Sequence, residues 1–165
     1  MGIRQGIIME LQHEAANTRK MLERVPLEKG DWKPHEKSMS LSRLATHVAE
    51  LPSWTAMTVH TDELDWAKFE YKPTIVHNTE ELLALHDKNV ATAISALENT
   101  SDEEIMKPWT MRRGEQVFFT LPKAAVIRNF SINHGYHHRG QLSVFLRLND
   151  VPVPGMFGPS ADETM

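Results

Sequence analysis

His134 and His138 stand four residues apart in the run Asn133-His134-Gly135-Tyr136-His137-His138-Arg139-Gly140-Gln141-Leu142. At that spacing two imidazoles leave a helix on the same side and can chelate one metal ion. Spacing alone decides little: a chain with 9 His in 165 residues is expected to contain about 0.5 such pairs by chance. The surrounding residues add the argument. Ile127, Phe130, His134, His138, Gln141, Phe145 and Leu148 follow steps of three and four, which places the pair on a stripe predicted to face the interior. A buried imidazole needs a partner for each nitrogen, two stacked ones among apolar neighbours lack them, and a metal would supply the missing partner.

A third ligand is sought on other apolar stripes. His47 falls on one side of a predicted helix with Leu44, Val48, Leu51 and Trp54. His86 is the rival, on the stripe Leu82, Val90, Ala93 and Leu97; it is read instead as a core-edge histidine bonded to a backbone carbonyl. His137 is rotated off the pair and assigned to solvent or to support of the pair, while His13, His35, His60 and His77 sit in polar or loop surroundings and read as surface residues. Gln141 is placed to hydrogen-bond a ligand at the metal; otherwise it is a polar residue at a helix end. Trp54 is assigned to the core rather than to substrate stacking. Glu10 and Glu14 are expected on the solvent face of the first helix unless the fold brings one to the metal.

The chain has no Cys. Disulfides, thiolate ligands and a cysteine nucleophile are excluded together, so any metal is held by His nitrogens and carboxylate oxygens. A thiol taking part in the chemistry must come from a substrate.

The elements that would position these residues are mostly helical. Steps of three and four predict a first amphipathic helix from Ile3 to Val25, stopped by Pro26. Residues 26–39 read as a loop pinned by Trp32. Ser40 is a plausible N-cap for a second helix to about Val59, kinked or broken at Pro52. A third helix begins near Asn78 or Thr79, with Glu80 and Glu81 in its first turn, and runs to about Leu97. The segment 101–121 alternates around Gly114 and suits a small hairpin or an irregular crossover. Pro122 opens a fourth, long helix ending near Asn149. The Pro-Gly tail after Val151 is expected to be extended, with Met156 and Phe157 anchoring it. Four amphipathic helices with one long crossover connection predict an all-α four-helix bundle, a scaffold whose core commonly holds metal between facing helices. Gly135 and Gly140 each cost about 1 kcal/mol against Ala in a helix interior; close helix approach, including approach between subunits, would offset that.

Composition sets the bounds. A chain of 165 residues with 41% hydrophobic content suits one domain spanning 1–165. A net charge of -4 and a pI near 6.1 argue against nucleic acid and anionic membranes as partners. No run of 18 apolar residues is present and the first residues lack a signal-peptide pattern, so a cytoplasmic location is expected.

Three sequence blocks, Trp32-Lys-Pro34 with Lys37-Ser38-Met39-Ser40-Leu41, then Leu44-Ala45-Thr46-His47-Val48-Ala49, then His134-x-x-x-His138-Arg139-Gly140-Gln141-Leu142, resemble the DinB-like (DinB/YfiT) superfamily. The tail Val153-Pro154-Gly155-Met156-Phe157-Gly158-Pro159-Ser160 is similar to members of that group, so the resemblance spans nearly the whole chain in order. It implies a four-helix bundle, often a homodimer, with His47, His134 and His138 binding a divalent metal. Characterised relatives include transferases and isomerases that use low-molecular-weight thiols, and many members have no assigned reaction. DNA binding is not implied.

Three neutral imidazoles leave a tetrahedral metal one open position, the arrangement of a catalytic site, where a bound water or thiol is acidified. Zinc and nickel suit the ligands best, with iron and manganese as further candidates. The leading expectation is a metal-dependent thiol S-transferase acting on a small-molecule substrate, with Gln141 assisting. The alternatives are a metal-dependent hydrolase and a non-catalytic metal-binding stress protein. A homodimer is expected, with Phe118 and Phe119 as candidate apolar contacts between subunits.

Overall fold

The computed structural model describes residues 2–163. Helix α1 (Ile3–Leu22) opens the chain and ends three residues short of the predicted stop. A short 3-10 turn at Leu27–Lys29 leads to α2 (Leu41–Glu50), capped by Ser40, whose hydroxyl accepts from the Arg43 N–H at 3.3 Å. Pro52 breaks the second helix: with no N–H to offer the preceding turn, it separates α2 from α3 (Ser53–His60) and becomes the N-cap of the latter.

Helix α4 (Thr79–Glu98) starts at the predicted place, capped by Asn78, whose side chain accepts from the Glu81 N–H at 2.8 Å. A single turn, α5 (Asp102–Ile105), follows. The final helical stretch is continuous from Lys123 but not uniform: α6 (Lys123–Ile127) passes through a π-helical segment, Arg128–Asn133, into α7 (His134–Leu148).

The all-α expectation is too narrow. The anticipated hairpin forms from β2 (Pro108–Arg113) and β3 (Gln116–Pro122), with Gly114 at φ +59°, the left-handed region that glycine enters without strain. A strand the periodicity did not reveal, β1 (Glu63–Asp65), pairs parallel with β2, giving a sheet of order β1-β2-β3. Asp65 fastens its edge: one carboxylate oxygen accepts from the Ala67 and Gly114 N–H groups at 2.9 Å each, and the other pairs with Arg112 at 3.1 Å.

Helix α4 packs against α1, α2 and α3, and α7 packs against α2 and α1. Met21, Leu22, Leu41, Leu44, Val48, Leu82, Leu142 and Leu146 form the part of the core that holds α2 against α7. Trp32 is half-buried, edge-on to Phe145 at 5.4 Å, as a pin for its loop. In the tail, Met156 packs on this core, whereas Phe157 is 73% exposed and lies over the Arg139 guanidinium and the Tyr136 ring.

The π segment explains why the stripe read from the last helix is only half correct. Each i→i+5 insertion adds a residue without adding a turn and rotates everything downstream by about 100°. Beyond it the buried positions are His138, Arg139, Leu142 and Leu146, while Gln141 and Leu148, on the predicted stripe, are exposed. Gly135 and Gly140 do not mark a close helix approach within the chain, since a Cβ on either would meet nothing within 4 Å.

Candidate metal centre

Helix α2 carries His47 and α7 carries His134 and His138, and the packing of these two helices brings the three side chains together. One ring nitrogen from each lies within 4.8 Å of the others; His138 is buried, and His47 and His134 are half-buried. The His47 ring stands edge-on to both partners, with centroids 5.2 Å from His134 and 4.6 Å from His138.

The Nε2 atoms of His134 and His138 are 2.8 Å apart. Gln141 fixes which of them offers a lone pair. Its Oε1 lies 2.8 Å from His138 Nδ1 and its Nε2 lies 3.2 Å from His137 Nε2. The consistent assignment has His138 Nδ1–H donating to Gln141 and Gln141 donating to His137. His138 Nε2 is then unprotonated and aimed into the cluster, the arrangement that orients an imidazole for metal. Nδ1 of His134 is buried without a hydrogen-bond partner. The Phe130 carbonyl, one turn back, pulls its pKa upward but lies outside hydrogen-bonding limits.

Electrostatics keep the cluster neutral at pH 7. Burial, followed by the neighbouring His138, His134 and Arg43, lowers the His47 pKa to about 4, with Glu50 opposing. His134 and His138 are also pushed below the ordinary value, first by burial and then by neighbouring imidazoles and, for His138, Arg43. Three neutral imidazoles that bring one nitrogen each within 4.8 Å of the others fit a divalent transition metal, which would replace the proton that His134 Nε2–H donates to His138 Nε2 across 2.8 Å.

The other candidates are elsewhere. His86 is buried apart from the cluster; its Nδ1 lies 3.3 Å from Asp87 Oδ1, a carboxylate rather than the expected backbone carbonyl, and its Nε2 has no partner. Glu14 is not on a solvent face: it is buried against Arg139, whose guanidinium donates to Glu14 Oε2 at 2.5 Å, to the Glu14 carbonyl at 3.1 Å and to Thr18 Oγ1 at 3.0 Å. Glu10 pairs with Arg128 at 2.6 Å. Neither acid reaches the histidines. His137 is exposed; it meets the site through Gln141 and edge-on against the His138 ring, with centroids 4.8 Å apart. His13, His35, His60 and His77 are exposed, as read from the sequence.

Beside His47 and His134 opens a cavity of about 500 Å³. Trp54 is half-buried and packs on the core, as read from the sequence, and it also lines this cavity, stacking on Phe130 at 5.3 Å. Glu50, one helical turn beyond His47, was not singled out from the sequence, although the i, i+3 spacing was visible. Its Oε2 accepts from the Tyr71 hydroxyl at 2.7 Å and from Arg43 at 3.2 Å, and its Oε1 accepts from the Thr74 N–H at 2.7 Å. These contacts lower the Glu50 pKa despite burial, and Tyr71 is pushed up to about 12 by burial and by the carboxylate. They tie the irregular segment 66–77 to the wall of the cavity. A second cleft, about 370 Å³, touches His138 and Gln141 and is bordered by Lys37 and Ser38.

The chain matches the DinB family over residues 5–164. It is 26% identical over 153 residues to YrdA, an uncharacterised protein of Bacillus subtilis strain 168, covering 92% of this chain and 86% of that protein. Its fold is similar to a DinB-like protein of Bacillus cereus ATCC 10987, with a TM-score of 0.71, 21% identity, and 93% of this chain and 97% of the other covered. A DinB-like protein of Bacillus subtilis, YjoA, superposes with a TM-score of 0.70 at 18% identity, covering 92% and 96% of the two chains.

Proposed function

The chain belongs to the DinB family, and from that premise and the site geometry we propose that it is a metal-dependent enzyme transferring a small thiol onto an electrophilic substrate. The observation that carries this reading is the convergence of His47, His134 and His138 within 4.8 Å beside an open cavity. In this reading α1, α2 with α3, α4, and α6 with α7 form the four members of a helical bundle, and the sheet belongs to its long crossover.

Three imidazoles are one ligand short of the usual closed structural site, which favours a centre that admits a reactant. A divalent ion held there, zinc or nickel, would supply Lewis acidity that stabilises an anionic nucleophile. The remaining work falls to the chain. Gln141 Oε1 holds the proton on His138 Nδ1 and so keeps Nε2 available. Burial and Arg43 keep His47 unprotonated. The apolar cavity excludes water from the electrophile. In the transfer a sulfur–carbon bond forms, the bond from that carbon to its leaving group breaks, the leaving group departs with the electron pair, and the thiol proton passes to solvent. With no Cys in the chain, the thiol is a diffusible reactant, and its availability places the protein in the cytoplasm in this reading.

Elemental analysis of protein purified without an affinity tag tests the centre. One divalent ion per chain is expected, lost in His47→Ala, His134→Ala and His138→Ala and retained in His86→Ala and His137→Ala. Full metal in His47→Ala would remove the third ligand. The transfer itself is tested with cobalt as the metal: a panel of cellular thiols should change the visible spectrum and support thiol-dependent loss of an electrophile. A spectrum blind to every thiol, together with ester or amide hydrolysis, would favour a hydrolase; metal binding without either would favour a non-catalytic metal protein.

A further inference from the structure

The cavity beside His47 and His134 has a composition that selects its ligand. Trp54, Phe130 and Phe119 form a ladder of near-parallel rings, at 5.3 Å and 29° for the first pair and 5.5 Å and 20° for the second. The first two line the cavity, and Trp66 and Phe69, edge-on to each other at 5.6 Å, line it as well. Aromatic walls of this kind favour a flat ring inserted in offset-stacked or edge-on geometry. The volume of about 500 Å³ falls among small-molecule sites, which span roughly 300–1,000 Å³.

The carboxylate on the same walls is already committed. Glu50 accepts from Tyr71, Arg43 and Thr74. Lys72, also in the lining, pairs with Glu70 at 3.3 Å, but both side chains are largely in water, where such a pair contributes little and leaves the ammonium open to an anion. A cationic ligand would lose hydration on entering and find no free carboxylate.

We infer that this cavity binds the electrophilic substrate of the proposed transfer, and that this substrate is a planar aromatic molecule without positive charge whose reactive carbon is presented toward His47 and His134. The inference rests on the transferase reading for the word substrate; the binding preference stands on the cavity alone. Lys37 and Ser38, at the cleft on the His138 side, belong to a different entrance.

Calorimetric titration of the zinc-loaded full chain with 1-naphthol and with 1-naphthylmethylammonium, with zinc measured on the same samples, tests it. Naphthol should bind with a submillimolar Kd, and the ammonium, of similar shape but cationic, at least tenfold more weakly. Trp54→Ala and Phe130→Ala should each weaken naphthol at least tenfold, whereas Lys37→Ala should leave it unchanged. Because the two truncations remove packing, Ser53→Trp supplies an independent arm: Ser53 is exposed at the start of α3 and lines the cavity, so a large ring there should block naphthol without changing the melting temperature. The ammonium binding as tightly as naphthol, or naphthol binding unaffected by Ser53→Trp, overturns the inference. Zinc bound at one per chain with no naphthol binding overturns it and leaves the metal reading intact; naphthol bound without zinc supports the cavity and overturns the metal reading.

Discussion

At the residue scale, the most consequential side chain outside the three histidines is Gln141, because it decides which nitrogen of His138 is free. Groups that orient a metal-binding imidazole are worth about 10–100-fold in affinity. Gln141→Leu should therefore weaken zinc binding by about tenfold or more in a chelator competition, with the stoichiometry at saturation unchanged. The histidines also make the metal-free protein acid-sensitive. His47 has a folded pKa of about 4 against 6.5 for the free side chain, so unfolding takes up a proton between those values. Stability is full above about pH 6.5 and is lost as the pH falls toward 4, with His134 and His138 acting in the same direction. Thermal melts of chelator-treated protein should show a falling Tm from about pH 7 to pH 5, less steeply in His47→Gln; a flat profile would contradict the buried, neutral cluster. The histidines were legible because type, spacing and stripe coincide. Glu50 and Tyr71 were not, since their meeting depends on a segment without periodicity.

At the element scale, the last helix shows what periodicity can and cannot supply. Its start and end were readable from Pro122 and Asn149, but the π segment at Arg128–Asn133 leaves no mark in an apolar pattern. Removing one exposed residue there, Asn129, would restore ordinary winding and turn His134 and His138 by about 100° relative to the residues before them. The expected result is retained helicity by circular dichroism with metal binding lost. The break at Pro52 and the caps at Ser40 and Asn78 were legible because each follows from a single residue's chemistry. Glu14 was misread because Arg139, rotated inward after the π segment, buries it. Removing one member of a buried pair costs about 3–5 kcal/mol, so Glu14→Ala should lose stability of that order in urea denaturation, and Glu14→Met with Arg139→Met should recover much of it.

At the scale of the whole molecule, the apolar surface left outside the core bears on assembly. Phe119 turns inward onto Phe130, so of the two phenylalanines considered for a subunit contact only Phe118, 49% exposed, remains available. On α7, Val144 and Leu148 are exposed at 55% and 57%, and Gly140, one turn before Val144, has open space around it. We propose that this stripe of α7 meets its copy in a homodimer. Light scattering at micromolar concentration should give about twice the 18.8 kDa chain mass, and Val144→Glu should return it to the monomer.

The two separate approaches to the histidine cluster, the aromatic cavity at His47 and His134 and the cleft at His138 and Gln141, bear on the order of events in a two-reactant transfer. Neither reactant has to vacate the entrance the other uses, so both can be resident at once. Double-reciprocal plots at several fixed concentrations of the second reactant should then intersect rather than run parallel, and an excess of either reactant should not inhibit by occupying the other's place.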